Sequence, residues 1–258
     1  MLPRVSPLPI TGAITRDWAW AGSTGAGVRV AVVDSGIENG HPGVGRVDGA
    51  VALSYDEEAP DSVRVQEGPH EDLFGHGTAC AGLIRAAAPE CQLFSVRVLG
   101  ERLTGRAAVF AAGLRWAVDA GMHVVNVSLS TGRDAHRPLL HEIADAAYFN
   151  GSVLVCAVNN TPAPSYPAQF AAVLSVAAHE RRDPFGFDYN PSPPVEFGAP
   201  GIDVEVAWRG GGTMTVTGNS FAAAHITGLV ARLLGKHPDL TPFQVKTVLH
   251  AVADNATG

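Results

Sequence analysis

The sequence predicts a single α/β domain in which a mostly parallel central sheet carries helices on both faces. Two observations support this fold class. Short apolar runs rich in β-branched residues recur along the chain, and stretches with helical periodicity separate them. Because such runs are typical of strands buried on both faces, and because strands that alternate with helices form βαβ units, we expect the sheet to be parallel.

Local patterns predict each element in turn. Strands are expected at residues 28–33, 93–98, 123–129, 151–158 and 173–177. Helices are expected at residues 106–119, 136–149 and 226–234, where apolar residues recur every three or four positions. Thr241 and Pro242 are typical of a helix start, and they predict a last helix that ends at Ala253. The Pro-rich segment of residues 183–200 is interpreted as a long surface loop.

Length and charge exclude several classes of function. The chain has 258 residues and a formal net charge of −7, from 18 Lys and Arg against 25 Asp and Glu. Because its basic residues form no cluster, we expect no nucleic acid among its partners. Its apolar runs are far shorter than the ~20 residues of a membrane span, so we expect no membrane partner either. Residues 1–17 are interpreted as a lead segment and residues 18–258 as the domain; the oligomeric state stays open.

The N-terminal region and the cysteines give information about the cellular compartment of the protein. Pro3, Pro7 and Pro9 interrupt the apolar core that a signal peptide needs. We therefore expect a cytoplasmic protein, or a secreted one if the sequence is a trimmed mature domain. The three cysteines lack the spacing of a metal site and lie among apolar residues, so they are interpreted as buried thiols.

Three polar residues stand where a strand or a turn leads into the next element. Asp34 follows the strand of residues 28–33 and so lies at the carboxyl edge of the sheet, where open α/β folds bind ligands. His76 has a glycine on each side, which leaves room around its ring, and it begins an apolar helix. Ser220 follows a Gly-Asn turn and begins another apolar helix, whose unpaired N–H groups favour negative charge.

Each of these residues also fits a purely structural role. Asp34 could cap the turn after its strand, and a lone histidine is more often structural than functional. Ser220 could serve as the N-cap of its helix. The residue types alone leave both interpretations open.

The order of the three residues along the chain is more informative than any one of them. Asp, then His, then Ser, each at a strand-to-helix junction, is one of the known arrangements of the serine triad. The segments Asp34-Ser35-Gly36-Ile37, His76-Gly77-Thr78 and Gly218-Asn219-Ser220-Phe221-Ala222 resemble motifs of the subtilisin-like (subtilase) serine peptidases. The resemblance runs from about Trp18 to Ala253.

This resemblance implies a three-layer subtilisin-like fold and a serine endopeptidase that forms an acyl-enzyme. Asp34, His76 and Ser220 would be the catalytic triad, an extended peptide or protein the substrate, and no cofactor would be needed. Residues 151–160 look like the family strand that ends in Ala-Gly-Asn. Asn160 is therefore expected to be the oxyanion-binding catalytic residue, with Asn159 as the alternative.

The resemblance also implies a set of substrate-binding residues. Ser128-Leu129-Ser130 is expected to pair with an extended peptide as an added β-strand and to line the pocket for the residue before the cut. Val96-Arg97-Val98-Leu99-Gly100 resembles the opposite wall of that groove. Tyr166-Pro167 resembles a dipeptide at the base of that pocket, where the family has a cis proline. The expected substrate-binding residues are Leu99, Gly100, Ser128, Leu129, Ser130, Ala157, Val158 and Asn159.

Several positions depart from the family pattern. Asn219 stands in place of the usual threonine and Ala224 in place of a proline, so a catalytically inactive binding domain is one alternative. A peptide-maturation protease or a peptide-joining enzyme of the same fold is another. Gly43 replaces a calcium-ligating aspartate, and the helix that begins at His76 lacks the calcium-binding insertion. We therefore expect no strong calcium site and assign no metal ligands.

Overall fold

The computed structural model describes residues 12–56 and 62–256. The strands in this part of the chain are β1 (Arg29–Asp34), β2 (Gly49–Tyr55), β3 (Val63–Glu67), β4 (Gln92–Arg97), β5 (Val124–Val127), β6 (Val153–Ala157), β7 (Leu174–His179), β8 (Asp188–Tyr189), β9 (Phe197–Pro200), β10 (Val204–Trp208) and β11 (Gly212–Val216). The helices are α1 (Arg16–Trp20), α2 (His76–Ala87), α3 (Ala107–Asp119), α4 (Arg137–Phe149), α5 (Asn219–Lys236) and α6 (Pro242–Val252).

Nine of the strands form one sheet in the order β3-β2-β4-β1-β5-β6-β7-β9-β8. The seven strands from β2 to β9 run parallel, while β3 and β8 close the two edges as antiparallel neighbours. Strands β10 and β11 form a separate antiparallel pair. The strand order changes direction at β1, between β4 and β5, and such a switch point opens a crevice at the carboxyl ends of the strands.

Helices cover both faces of this sheet. In β1, Val30 and Val32 face a core that includes residues of α1, α2, α5 and α6, whereas Ala31 and Val33 face a second core built with α3 and α4. This alternation follows from the two-residue repeat of a strand. The predicted α/β fold with three layers is confirmed.

The segment of residues 183–200 differs from its interpretation as a loop. It contains β8 and β9, and β9 pairs in parallel with β7 through Val176 and Phe197. Phe197 is only 1% exposed because it packs in the core next to Phe187. These strands are two and four residues long, too short to show a periodic pattern, so tertiary packing determines them.

Helix α1 spans the expected boundary between residues 17 and 18. Arg16 donates to the carbonyl oxygen of Val252 at 3.1 Å and pairs with the carboxylate of Asp254 at 2.6 Å. The helix is thereby tied to the end of α6. Residues 1–11 of the expected lead segment lie outside the described residues. Among the helices described, none combines the length and apolarity that a bilayer crossing requires.

Arg85, near the end of α2, joins two connecting segments. Its guanidinium donates to the carbonyl oxygens of Val44, Arg46, Pro89 and Cys91, at 2.9, 3.1, 2.8 and 2.6 Å. Two of these oxygens belong to the loop after β1, and two belong to the short connection from α2 to β4. A single side chain therefore holds both segments together.

The position of these four carbonyl oxygens is relevant to the expectation that the protein has no strong calcium site. They lie between the loop that contains Gly43 and the end of α2, the two places where the family resemblance predicts that calcium ligands are missing. The oxygens face a permanent positive charge, which would repel a second cation. The donor set at this place therefore does not fit a calcium ion, and a guanidinium takes up the oxygens instead.

Replacing Arg85 by methionine should destabilise the protein. The Arg85→Met variant keeps an unbranched apolar stem but loses the four charged hydrogen bonds. We expect the free energy of unfolding to fall by about 2 kcal/mol, and the thermal midpoint by roughly 4–8 °C for a domain of this size. Arg182→Met removes an exposed arginine that has no hydrogen bond or ion pair within the described residues, and its midpoint should not change. Equal midpoints for the two variants would contradict the role of Arg85.

Chelation provides a separate prediction. A bound ion stabilises a protein because it binds the native state in preference to the unfolded chain. Since Arg85 supplies the positive charge, EDTA should leave the activity of the wild-type protein unchanged. It should also change the thermal midpoint by less than about 5 °C. Differential scanning calorimetry with and without EDTA measures this, and a larger fall would reveal a stabilising metal ion.

Candidate active site

Three elements bring Asp34, His76 and Ser220 to the switch point of the sheet. Asp34 is the last residue of β1, His76 is the first residue of α2, and Ser220 is the second residue of α5. Their exposed fractions are 0%, 8% and 7%. The site is therefore largely shielded from water, which strengthens the electrostatic interactions inside it.

Asp34 and His76 form a direct hydrogen-bonded pair. The Nδ1 atom of His76 lies 2.9 and 2.8 Å from the two carboxylate oxygens of Asp34. Because a carboxylate accepts hydrogen bonds, Nδ1 carries the proton, and Nε2 of a neutral ring is left as the acceptor. Asp34 also accepts from the backbone N–H of Ser35 at 2.7 Å, so it both holds the ring and caps the turn after β1.

The same pair raises the pKa of His76. Burial on its own lowers that pKa, because it penalises the charged imidazolium. The negative charge of Asp34 and its hydrogen bonds act in the opposite direction, and the charge of Asp72 adds to them. The net result is a pKa above the ordinary value of 6.5.

The glycines beside His76 serve packing rather than clearance of the ring. A Cβ on Gly77 would lie 2.0 Å from the carbonyl oxygen of Gly36, and a Cβ on Gly75 would lie 2.7 Å from the Trp208 ring. Gly75 also has a φ of +116°, which disfavours any residue with a side chain. These glycines let the start of α2 approach the turn after β1. This steric reason differs from the one expected from the sequence, which was room around the His76 ring.

Ser220 is not the N-cap of α5, which excludes its structural alternative. The N-cap is Gly218, and no side chain caps that end of the helix. The Oγ atom of Ser220 instead donates to the carbonyl oxygen of Ser128 at 3.2 Å. The ring of the next residue, Phe221, lies 5.4 Å from the ring of His76, measured between centroids. Ser220 therefore stands at a helix start, next to a residue whose ring packs against the histidine.

The side chains of Asn159 and Asn160 point to different neighbours. The Asn160 amide oxygen accepts the backbone N–H of Asn219 at 3.0 Å, so this amide lies against the turn that carries Ser220. Asn159 instead bonds locally, its side-chain oxygen accepting from Thr161. Of the two asparagines considered from the sequence, the geometry favours Asn160 as the oxyanion-binding residue.

An open groove follows the segment Ser128–Ser130. Within the described part of the chain, the backbone groups of Leu129 and Ser130 form no hydrogen bond, and regular pairing resumes at Thr131, which bridges to Tyr166. These free N–H and C=O groups are available to an added strand. The expected pairing segment is therefore unoccupied by the protein's own backbone.

The remaining expected groove residues differ in accessibility. Leu99 is 7% exposed and donates its N–H to the Asp34 carbonyl oxygen at 3.2 Å, while Gly100 closes a turn with Thr104. Ala157 ends β6 and is only 4% exposed. Val158 and Asn159 follow it and are half-buried. The Tyr166–Pro167 peptide bond is cis, as the resemblance implies.

A single cluster of three potential metal ligands occurs among the described residues, and it contains Asp34 and His76. Its third member is the buried thiol of Cys80, and the ligand atoms lie within 4.8 Å of one another. Burial raises the pKa of Cys80 well above its usual range, and its Sγ atom lies 3.5 Å from the Ser128 hydroxyl. Both Asp34 oxygens lie within 2.9 Å of the Nδ1 atom of His76. The cluster fits a hydrogen-bonded pair better than a metal centre.

Comparison with known proteins places this site in a family. The sequence pattern of the Subtilase family matches residues 25–258. The chain belongs to the subtilase family. It is 31% identical over 243 residues to a thermostable alkaline protease of Halalkalibacterium halodurans and 30% identical over 249 residues to subtilisin E of Bacillus subtilis. These alignments cover 90% of this chain, but only 63% and 62% of the two relatives.

In two further comparisons the alignment covers most of both proteins. Subtilisin Savinase of Lederbergia lenta is 32% identical over 243 residues, with 90% of this chain and 85% of that protein aligned. The crystal structure of a cold adapted subtilisin-like serine proteinase superimposes with a TM-score of 0.73 at 26% identity, covering 90% of this chain and 86% of the other. The subtilisin-like fold predicted from the sequence is thus confirmed.

Asp72 is a site residue of this subtilase that the sequence analysis missed. Its buried carboxylate accepts five hydrogen bonds of 2.6–3.0 Å. The donors are the Ser35 hydroxyl, the backbone N–H groups of Phe74, Gly75 and Thr78, and the Thr78 hydroxyl. Asp72 thus joins the turn after β1 to the first turn of α2. Its spacing four residues before His76 is the only signal that the sequence offered.

A second hydrogen-bond network that the sequence analysis missed connects α5 to Ser128, the residue that binds Ser220. Thr227 donates to the side-chain oxygen of Asn126 at 3.0 Å, and the Asn126 amide donates to the Ser128 hydroxyl at 2.8 Å. All three side chains are buried. This chain of hydrogen bonds connects the middle of α5 to the residue whose carbonyl oxygen receives Ser220.

Asn219 is a departure from the family pattern for which the structure offers a role. Its side-chain oxygen accepts the N–H of Ala178 at 2.8 Å, and its amide donates to the carbonyl oxygens of Val158 and Asn159. One side chain therefore joins the ends of β6 and β7 to the residue before Ser220. This clamp keeps the turn ordered without the usual threonine.

Removing the charge of Asp72 should lower the pKa of His76. The Asp72→Asn variant loses a negative charge that favours the imidazolium, and it places an amide opposite the N–H of Thr78. We expect the His76 pKa, measured by NMR titration of the imidazole, to fall, and the free energy of unfolding to fall by about 1–3 kcal/mol.

The neighbouring residue provides the control for this experiment. Glu71→Gln removes the same charge from an exposed side chain that forms no hydrogen bond within the described residues. It should leave both quantities nearly unchanged. If Asp72→Asn and Glu71→Gln behave alike, Asp72 does not position the histidine.

Proposed function

We propose that this subtilase is a serine endopeptidase in which Asp34, His76 and Ser220 act as the catalytic triad. The observation that carries the proposal is the buried Asp34–His76 hydrogen-bonded pair, against which the start of α5 packs through Phe221, the residue after Ser220. The relatives named as proteases support the reaction class, and the intact order of the three residues supports an active enzyme over an inactive binding domain.

In this mechanism His76 is the general base. Its free Nε2 accepts the proton of the Ser220 hydroxyl as the serine oxygen attacks the peptide carbonyl carbon. Asp34 keeps the ring in the required tautomer and stabilises the imidazolium that forms. His76 then donates the proton to the leaving amine, and an acyl-enzyme remains until water attacks it.

Ser220 must change its hydrogen bond before it can react. In the described site its Oγ donates to the Ser128 carbonyl oxygen, and no hydrogen bond joins it to His76. Such bonds are often long or misaligned before substrate binds and shorten in the complex. Rotation of the Ser220 side chain toward Nε2 on substrate binding is therefore part of the proposal.

The oxyanion would be held by two donors. One is the backbone N–H of Ser220, which has no partner within the described residues and lies in the first turn of α5, where the helix dipole favours negative charge. Asn160 lies against the same turn, where its amide N–H group can point to the oxyanion. Hydrogen-bond donors fixed in this way stabilise the transition state more than the substrate.

The substrate would be an extended peptide or a protein segment. The unpaired backbone of Leu129 and Ser130 supports its binding as an added strand, which requires little of the peptide's sequence. Transfer of the acyl group to an amine instead of water would make the protein a peptide-joining enzyme. Mass spectrometry of the products separates the two reactions, because hydrolysis yields a free carboxylate.

Loss of Ser220 or His76 should abolish activity without loss of the fold. Ser220→Ala and His76→Ala are each expected to lower kcat by at least about 10⁴-fold, a loss of the order known from subtilisin itself and related triads. Hydrolysis of a peptide substrate measures this, and circular dichroism checks the fold.

A phosphonate probe that reacts with activated serines supplies the control. It should label the wild-type protein and leave Ser220→Ala unlabelled. Near-native hydrolysis in either variant, or labelling of Ser220→Ala, would contradict the assignment of the triad.

The pH dependence of the reaction should report the raised pKa of His76. Only the neutral ring accepts the serine proton, so activity is low below that pKa and increases as the pH passes above it. We expect kcat/KM to rise with a midpoint above 6.5. A rate that is constant from about pH 5 to 9, across the range in which histidine titrates, would show that another group is the base.

A further inference from the structure

A cavity of about 670 Å³ opens beside the groove. Its walls include Leu99 on one side and Leu129 and Ser130 on the other, so it is continuous with the segments expected to flank the substrate. From Ser128, whose carbonyl oxygen binds Ser220, three residues of extended chain reach about 10 Å. A peptide paired along this segment would thus place in the cavity a side chain three or four residues before the cut.

The charge of this cavity is opposite to that of the whole protein. The chain has a net charge of −7, yet Arg106, Arg133 and His136 line the cavity, and its described walls contain no aspartate or glutamate. The acid closest in sequence, Asp134, is already engaged, since its carboxylate accepts the hydroxyl of Tyr166 at 2.9 Å. The described walls of the cavity therefore carry positive charge, from Arg106 and Arg133, on an acidic molecule.

The two arginines have no carboxylate partner of their own within the described residues. Some other cations of this chain have one, for example Arg115 with Glu142 and Lys246 with Glu196. The guanidinium of Arg106 lies over the ring of Tyr55, 3.6 Å from its centroid. This contact uses the face of the guanidinium and leaves its in-plane N–H donors free.

Guanidinium groups beside apolar side chains suit a carboxylate at the end of a short apolar stem. The planar donors of arginine match the two oxygens of a carboxylate. Leu99, Leu103 and Phe110 line the same cavity and can contact the methylene groups of the stem. A glutamate side chain combines both features, whereas a lysine side chain would bring like charges together.

We propose that this site selects peptides with a glutamate or aspartate three or four residues before the cleaved bond. Arg106 and Arg133 bind the acidic side chain, and Leu99, Leu103 and Phe110 contact its stem. The inference rests on the proposed peptidase function, because it specifies the substrate of that same groove. It leaves the residue next to the cleaved bond unspecified.

Matched peptides test the proposal. Internally quenched peptides that differ only in carrying Glu, Gln, Leu or Lys at the third or fourth position before the cleaved bond are compared by kcat/KM. At one of these positions we expect Glu to exceed Gln and Leu by about tenfold, the effect of one charge-assisted hydrogen bond, and Lys to be the poorest. The advantage of Glu should shrink as salt is added. A preference for Leu over Glu at both positions would overturn the proposal.

Variants of the two arginines link the preference to the cavity. Arg106→Gln and Arg133→Gln should each remove most of the Glu advantage and leave kcat/KM for the Leu peptide nearly unchanged. Arg102→Gln is the matched control, because Arg102 is exposed on the same loop but does not line the cavity. Selectivity that survives both cavity variants, or that Arg102→Gln reduces equally, would refute the assignment.

Binding separates this proposal from the proposed function. The same peptides, labelled with a fluorophore, are titrated against Ser220→Ala and against Ser220→Ala combined with Arg106→Gln. If no peptide is cleaved by the wild type but the Ser220→Ala protein binds the Glu peptide about tenfold more tightly than the Gln peptide, the peptidase function fails and the acidic preference stands. Equal dissociation constants for the two peptides would refute the acidic preference, whatever the activity.

Discussion

The close approach of α2 to the turn after β1 is the contact on which the site depends. At Gly77 the two backbones are so near that a Cβ would lie 2.0 Å from the carbonyl oxygen of Gly36. This approach brings His76 to Asp34 at hydrogen-bond distance while both side chains are buried. Because β1 lies where the strand order reverses, the pair opens onto the crevice between β4 and β5.

Buried charge is the second constraint, since a carboxylate without water must find other donors. Asp34 and Asp72 are both buried, and each is surrounded by N–H or O–H groups from the same two segments. Their hydrogen bonds fix the position of His76, and their charges raise its pKa above 6.5. The groups that build the first turn of α2 therefore also set the basicity of the proposed catalytic residue.

The regions around this rigid centre show how one family fold can carry different properties. Arg85 binds carbonyl oxygens beside Gly43, at a place where the family resemblance implies that relatives hold calcium. Asn219 orders the turn before Ser220 with an amide in place of a threonine hydroxyl. Arg106 and Arg133 add positive charge to the walls of the cavity beside the groove. Side chains outside the triad thus determine how the protein is stabilised and which peptide it is proposed to accept.

The sequence by itself determined the parts that depend on neighbouring residues. Strand and helix periodicity placed Asp34, His76 and Ser220 at the ends of their elements, and short motifs at these residues identified the family. Contacts between distant segments were decided only by the tertiary structure. They include the donors around Asp72, the contact of the Asn160 amide with the residue before Ser220, and the pairing of β9. Local sterics are encoded within a few residues, whereas a hydrogen bond between segments exists only once the chain has folded.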